Sequence, residues 1–222
     1  MKAVILDIEG TTTDINFVYN VLFPYAKKAL PEFLKNHKDD DSVNSILLNI
    51  KSKFNVGSDD EILSLLNEWI ETDQKIKELK DLQGLIWIRG YEQKDYISHL
   101  YPDVLPQIKK WKESGMKVYI YSSGSIQAQK LLFSHTEYGD VTNLLDGYFD
   151  TTIGNKREEK SYANILEHLE LAGNEVTFLS DIEAELTAAK SVGINVFHVN
   201  RDGLYNDSKY KLITEFSDIG DF

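Results

Sequence analysis

The chain has 222 residues, 24 Lys+Arg against 36 Asp+Glu and a formal charge of −12. That length suits one large domain, or a domain carrying an insert, and folding needs neither disulfide nor structural metal. The absence of cysteine excludes thiol catalysis, Cys-ligated zinc and disulfides. The acidic excess argues against a nucleic-acid partner and against docking on anionic lipid, and no apolar run approaches the ~18 residues of a membrane span.

In chain order, Ala3-Val4-Ile5-Leu6 is a short apolar run without alternation, as in a parallel strand buried on both faces. Asp7 ends it too early for the apolar core of a signal peptide, so a cytoplasmic protein is expected. From residue 15 to 90 no strand pattern occurs. Residues 19–35 and 43–54 read as helices. Ser58 with Glu61 forms a possible capping box, ahead of Ile62, Leu65, Leu66, Trp69 and Ile70 on one helical face. The Lys38–Asp41 charge run reads as a solvated loop. Further strands are expected at 118–121, 148–149, 176–179 and 194–199, and helices at 104–113, 126–133, 161–171 and 183–192, two of them closed by Gly115 and Gly193. Alternating strands and helices predict a doubly wound α/β fold with a parallel sheet. Its core is expected to be 1–14 with 91–222, and 15–90 an inserted all-helical cap.

Chemistry-bearing residues collect at the expected strand ends. Asp7 and Glu9 flank Ile8 directly after the first strand, where open α/β sheets bind ligands; one carboxylate can attack an electrophile while the other moves a proton. The competing structural reading is that both simply end the strand. Ser122-Ser123-Gly124-Ser125 follows the second strand and opens a helix, an arrangement that leaves backbone N–H groups for an anion; an ordinary turn with a serine cap is the alternative. No Walker motif is present. Lys156 precedes a helix and, taken alone, is a solvated loop lysine. Asp181 ends the fourth strand, with Glu183 and Glu185 next; these acids suit either a hard divalent cation or a helix dipole. Together these features bring Asp7, Glu9, Ser122, Lys156 and Asp181 to one edge of the sheet.

The order D-x-E-G-T, strand-Ser-Ser-Gly, Lys, strand-Ser-Asp resembles the four motifs of haloacid-dehalogenase-superfamily phosphatases. The blocks DIEGTTT, VLFPYA (21–26), QGLIW (83–87), YPDV (101–104), YSSGSIQAQKLLF (121–133), GYFDTTIG (147–154) and FLSD (178–181) are similar, more narrowly, to the acireductone-forming enolase-phosphatases of methionine salvage. The resemblance implies conversion of 2,3-diketo-5-methylthiopentyl-1-phosphate to 1,2-dihydroxy-3-keto-5-methylthiopentene plus phosphate. It implies Asp7 as nucleophile, Glu9 as acid/base, and Ser122, Ser123 and Lys156 around the phosphate. One Mg²⁺ per chain would be held by Asp7, Asp181 and the backbone carbonyl of Glu9. Two departures stand out: Asp14 adds a charge where a smaller or uncharged residue is expected, and Glu185 replaces the usual Asp and is expected to order metal-bound water. Phe17, Val21 and Phe23 are candidates for an apolar wall against the methylthio tail, although cap core is the commoner role for such residues; buried structural roles are expected of His99 and Trp87. A monomer acting on a small phosphorylated diketone is expected. The alternatives are a general sugar-phosphate or phosphoglycolate phosphatase, a haloacid dehalogenase, against which Glu9 and Asp181 speak, and a receiver-like signalling module, against which length and insert speak.

Overall fold

The computed structural model describes residues 1–72 and 74–220. In chain order the main elements are β1 (Ala3–Leu6), a π-helical turn (Val18–Leu22), α1 (Phe23–His37), α2 (Asp41–Phe54), α3 (Asp59–Glu71), α4 (Lys77–Gln93), α5 (Val104–Glu113), β2 (Lys117–Tyr121), α6 (Ile126–Ser134), β3 (Gly147–Phe149), α7 (Glu159–Leu169), β4 (Val176–Ser180), α8 (Glu183–Ser191), β5 (Asn195–Val199) and β6 (Leu212–Ile213).

All six strands pair in parallel, in the order β3-β2-β1-β4-β5-β6. The central strand explains its own composition. Val4 and Leu6 pack on one face with Ile108 and Trp111 of α5 and Phe133 of α6. Ala3 and Ile5 pack on the other with Tyr162 and Ile165 of α7 and Leu186 of α8. Both faces are dry, so every residue of the strand is apolar. The sheet is thus doubly wound, as the strand-helix alternation predicts.

The chain divides into two compact units, residues 1–15 with 98–222, and residues 16–97. The second unit is all-helical. Its core joins Ala26 and Leu30 of α1, Leu47 and Ile50 of α2, Ile62 and Leu66 of α3, and Leu82 and Ile86 of α4. The capping box forms: the Ser58 hydroxyl accepts from the Glu61 N–H at 3.2 Å, and Glu61 Oε2 accepts from the Ser58 N–H at 2.8 Å. The unit runs beyond residue 90 because α4 continues to Gln93 and is closed by Lys94 in the left-handed region, φ 59°. Among the described residues no helix is long and apolar enough to cross a membrane.

Candidate active site

The sheet register builds the site. Leu6 lies opposite Ile120 on one side and Leu179 on the other, which brings Asp7, Tyr121 and Ser180 level, with Ser122 and Asp181 one step further. The Asp7 N–H donates to the Leu179 carbonyl at 3.0 Å, so the ladder continues into the first acid. The chain then turns tightly. The N–H groups of Thr11, Thr12 and Thr13 converge on the Ile8 carbonyl at 3.2, 2.9 and 2.9 Å, and the Gly10 N–H donates to the Thr13 carbonyl at 2.8 Å. Gly10 holds φ 73°, and a Cβ there would lie 2.5 Å from Asp181 Oδ2. Glycine both permits the turn and admits the Asp181 carboxylate against it.

Lys156 is not a solvated loop lysine; it is 7% exposed. Its ammonium donates to Asp7 Oδ1 and, at 2.8 Å, to Glu185 Oε2. The rings of Tyr121 and Phe178 flank it at 5.7 and 6.0 Å, and the Tyr162 hydroxyl fixes its main-chain carbonyl at 2.8 Å. Ser180 links the acids, its hydroxyl 2.9 Å from Glu185 Oε2 and 3.4 Å from Asp7 Oδ2. Buried Ser122 donates to Glu9 Oε2 at 3.3 Å and accepts from the Gly124 N–H at 3.1 Å. Ser123, next to it, is exposed. Gln129 ties the serine loop down, donating to the carbonyls of Gly124 at 2.9 Å and Phe149 at 2.8 Å.

The structure therefore links Asp7, Lys156, Glu185 and Ser180, and links Glu9 with Ser122. Glu185 is itself buried and takes Lys156 and Ser180 as partners, because the first turn of α8 follows β4 so closely that a glutamate reaches back to the lysine. Trp87 is half-buried and donates its indole N–H to the Leu22 carbonyl at 2.9 Å. His99 accepts from the Asp14 N–H at Nδ1, 3.1 Å away. Sequence reasoning missed Ser180 and also His198, whose Nε2 lies 3.0 Å from the Asp181 carbonyl. A serine beside a motif acid and a histidine inside an apolar strand give no sign of these partners.

Four carboxylates around a single ammonium disturb one another. Burial, and then the Asp7 charge, raise Glu9 above the ordinary glutamate value, and the same two causes in the same order raise Glu185. Asp181 is pushed up to about 8, by burial first and the Asp7 charge second. Burial works against the Lys156 ammonium, yet Asp7 and Glu185 outweigh it and raise its pKa. Asp181 Oδ1 is buried without a hydrogen-bond partner, a costly position for a carboxylate oxygen unless a cation meets it. Among the described residues no three Asp, Glu or His side chains form a cage by themselves. A buried oxygen donor beside a second acid, short of a full cage, fits Mg²⁺, which takes one or two carboxylates and fills its remaining positions with water and substrate phosphate.

Fold and site define a class, and comparison with known proteins gives the same one: the profile of haloacid dehalogenase-like hydrolases matches residues 1–193. The chain is 46% identical over 221 residues to Enolase-phosphatase E1 of Alcanivorax borkumensis, covering 99% of this chain and 98% of the relative. It is 45% identical to the protein of the same name from Sulfurihydrogenibium, covering 99% and 97%. The crystal structure of the UTR4 protein of Saccharomyces cerevisiae superposes with a TM-score of 0.84 at 36% identity, covering 97% of this chain and 98% of that one. The chain belongs to the enolase-phosphatase family of the haloacid dehalogenase-like hydrolases.

Proposed function

We propose that the protein enolises 2,3-diketo-5-methylthiopentyl-1-phosphate and then removes its phosphate, releasing the acireductone 1,2-dihydroxy-3-keto-5-methylthiopentene. The observation that carries this reading is the contact of buried Lys156 with Asp7 at the carboxyl end of the central strand, in a chain with full-length enolase-phosphatase relatives.

Asp7 attacks phosphorus, forming an aspartyl-phosphate while the ester P–O bond breaks. Lys156 pairs with Asp7 and faces the transferring phosphoryl charge. Glu9, raised by burial, donates a proton to the departing enediol oxygen and takes one from the water that hydrolyses the acyl phosphate. Ser122 orients Glu9 and, with Ser123, holds phosphate oxygens. Mg²⁺ held by Asp7, Asp181 and the main chain at Glu9 would supply Lewis-acid stabilisation of phosphoryl and enediolate oxygens. Glu185 belongs to this set by fixing Lys156. The inserted helices, which follow the Asp7 loop in sequence, take the cap role, and Phe17, Val21 and Phe23 are its candidates for contact with the methylthio tail. A monomer located in the cytoplasm completes the reading.

The test follows diketone absorbance and phosphate release together. Loss of diketone, appearance of the enediol and stoichiometric phosphate are expected; cleavage of generic esters such as p-nitrophenyl phosphate alone would replace this reading with that of a general phosphatase.

A further inference from the structure

The family profile stops at residue 193, yet the chain beyond it reaches back to the acid-bearing loop. Arg201 follows β5, and its side chain is 4% exposed. Its Nε and Nη2 donate to the Thr11 carbonyl at 3.0 and 2.9 Å. Its Nη1 donates to Asp103 Oδ1 and to the Thr214 carbonyl, both at 2.8 Å. The guanidinium lies 4.4 Å from the Tyr101 ring centre and 4.7 Å from that of Phe216, and the second oxygen of Asp103 accepts from the Phe216 N–H at 2.8 Å. Only a planar fork of donors can grip one carbonyl twice while its faces are stacked.

Asp103 and the Thr214 carbonyl engage Nη1 alone, so the other donors of this buried guanidinium need a further acceptor. Here two donors go to one carbonyl of the loop that carries Asp7 and Glu9. The neighbouring carbonyls of that loop already have partners: Thr12 accepts from the Tyr101 N–H at 3.0 Å and Thr13 from the Gly10 N–H. Thr11, two residues after Glu9, is where the C-terminal segment takes hold.

We infer that Arg201 is a positioning residue: it clamps the Thr11 carbonyl and thereby fixes the loop on which Glu9 must meet the leaving oxygen. The inference rests on the roles proposed above for Asp7 and Glu9. Of the groups assigned to the phosphate, Lys156 and the serine loop lie outside the contacts of Arg201, so loosening the clamp falls more on kcat than on KM.

The test compares full-length wild type, R201K and R201A by amide hydrogen exchange and steady-state phosphate release. R201K keeps a cation between the two rings but loses the fork. We expect exchange at Thr11–Thr13 to rise about tenfold or more while β1, β4 and β5 stay protected. We expect kcat to fall roughly 10- to 100-fold, with KM within about twofold, and millimolar methylguanidinium to restore part of the activity of R201A. Wild-type exchange at Thr11–Thr13 in R201K overturns the inference, and so does a loosened loop with unchanged kcat. Exchange rising equally across the sheet, or failure of both variants to fold, also overturns it, because Arg201 then holds the fold and not the loop. Failure of the functional reading looks different: wild type itself releases no phosphate from any ester, while exchange at Thr11–Thr13 still depends on Arg201.

Discussion

At Gly10 a hydrogen atom decides whether two acids can share a site. An alanine there meets Asp181 Oδ2 at 2.5 Å on a backbone at φ 73°, so both the clash and the left-handed conformation oppose it. The conformation alone costs roughly 1–2 kcal/mol. We expect Gly10→Ala to lower the melting temperature and to remove most phosphatase activity, since the displaced group is the Asp181 carboxylate; unchanged kcat would show that residue 181 need not stand where it does. Asp7 and Lys156 differ in a way that mutation separates. Asp7→Asn deletes the nucleophile but leaves an amide that can still accept from Lys156, so phosphate release should vanish while the thermal transition stays close to wild type. Lys156→Ala leaves Asp7 and Glu185 buried without their cation, a loss of about 3–5 kcal/mol for a broken buried pair. We expect that variant to be both inactive and clearly less stable in thermal and urea unfolding.

Elements were legible in the sequence where burial writes a simple pattern. β1 is apolar throughout and β4 is buried throughout because helices cover both sheet faces, and α3 carries its apolar stripe and its cap in plain view. The 77–93 helix, α4, was not legible, because Glu78, Gln83, Gly84 and Gly90 are among its buried residues and the apolar period is broken. β6 has two residues, too few for any period. The site divides in the same way: motif residues with unusual chemistry at strand ends were visible, whereas Ser180, His198 and Arg201 act through contacts that only the sheet register and the return of the C-terminal segment create. Asp146 is another such contact. It lies just before β3 and ties that edge strand to its neighbour, accepting from the Val118 N–H at 2.8 Å and lying 3.1 Å from the Lys117 ammonium. Burial opposes the Asp146 carboxylate, but hydrogen bonds from Lys112, Val118 and Lys117 outweigh it and hold its pKa below the ordinary 3.8. A carboxyl with a depressed folded pKa adds stability above its unfolded value and loses it as pH falls through the folded one. Asp146→Asn should therefore cost about 1–3 kcal/mol at neutral pH, with the gap to wild type closing below pH 3.8. A gap that stays constant with pH would assign the effect to shape instead of charge.

Across the whole molecule, charge poses the problem that the chemistry has to solve. A chain at −12 must admit a phosphate dianion beside Asp7, Glu9, Asp181 and Glu185, with Lys156 as the ammonium among them. Like unit charges 4 Å apart repel by about 4 kcal/mol at an effective dielectric of 20, so each unneutralised carboxylate weakens substrate binding by orders of magnitude. The motif residues Asp7, Glu9 and Asp181 set three acids against a lysine and a divalent ion; Glu185, in contact with Lys156, is a fourth, so more of the compensation falls on the ion. Two linked outcomes follow for calorimetry. Mg²⁺ that binds only the folded protein raises its stability by about 2.7 kcal/mol at a hundred times its dissociation constant, so the melting temperature should climb with Mg²⁺, and chelation should abolish phosphate release until Mg²⁺ is returned. Asp181→Asn should act in opposite directions with and without metal. Without it, removing a buried carboxylate whose Oδ1 has no partner relieves a cost and raises the melting temperature. With it, most of the Mg²⁺-dependent rise is lost. A variant that keeps the full Mg²⁺ response would move the ion away from residue 181, and phosphate release that persists through exhaustive chelation would leave Lys156 to meet the dianion without a metal.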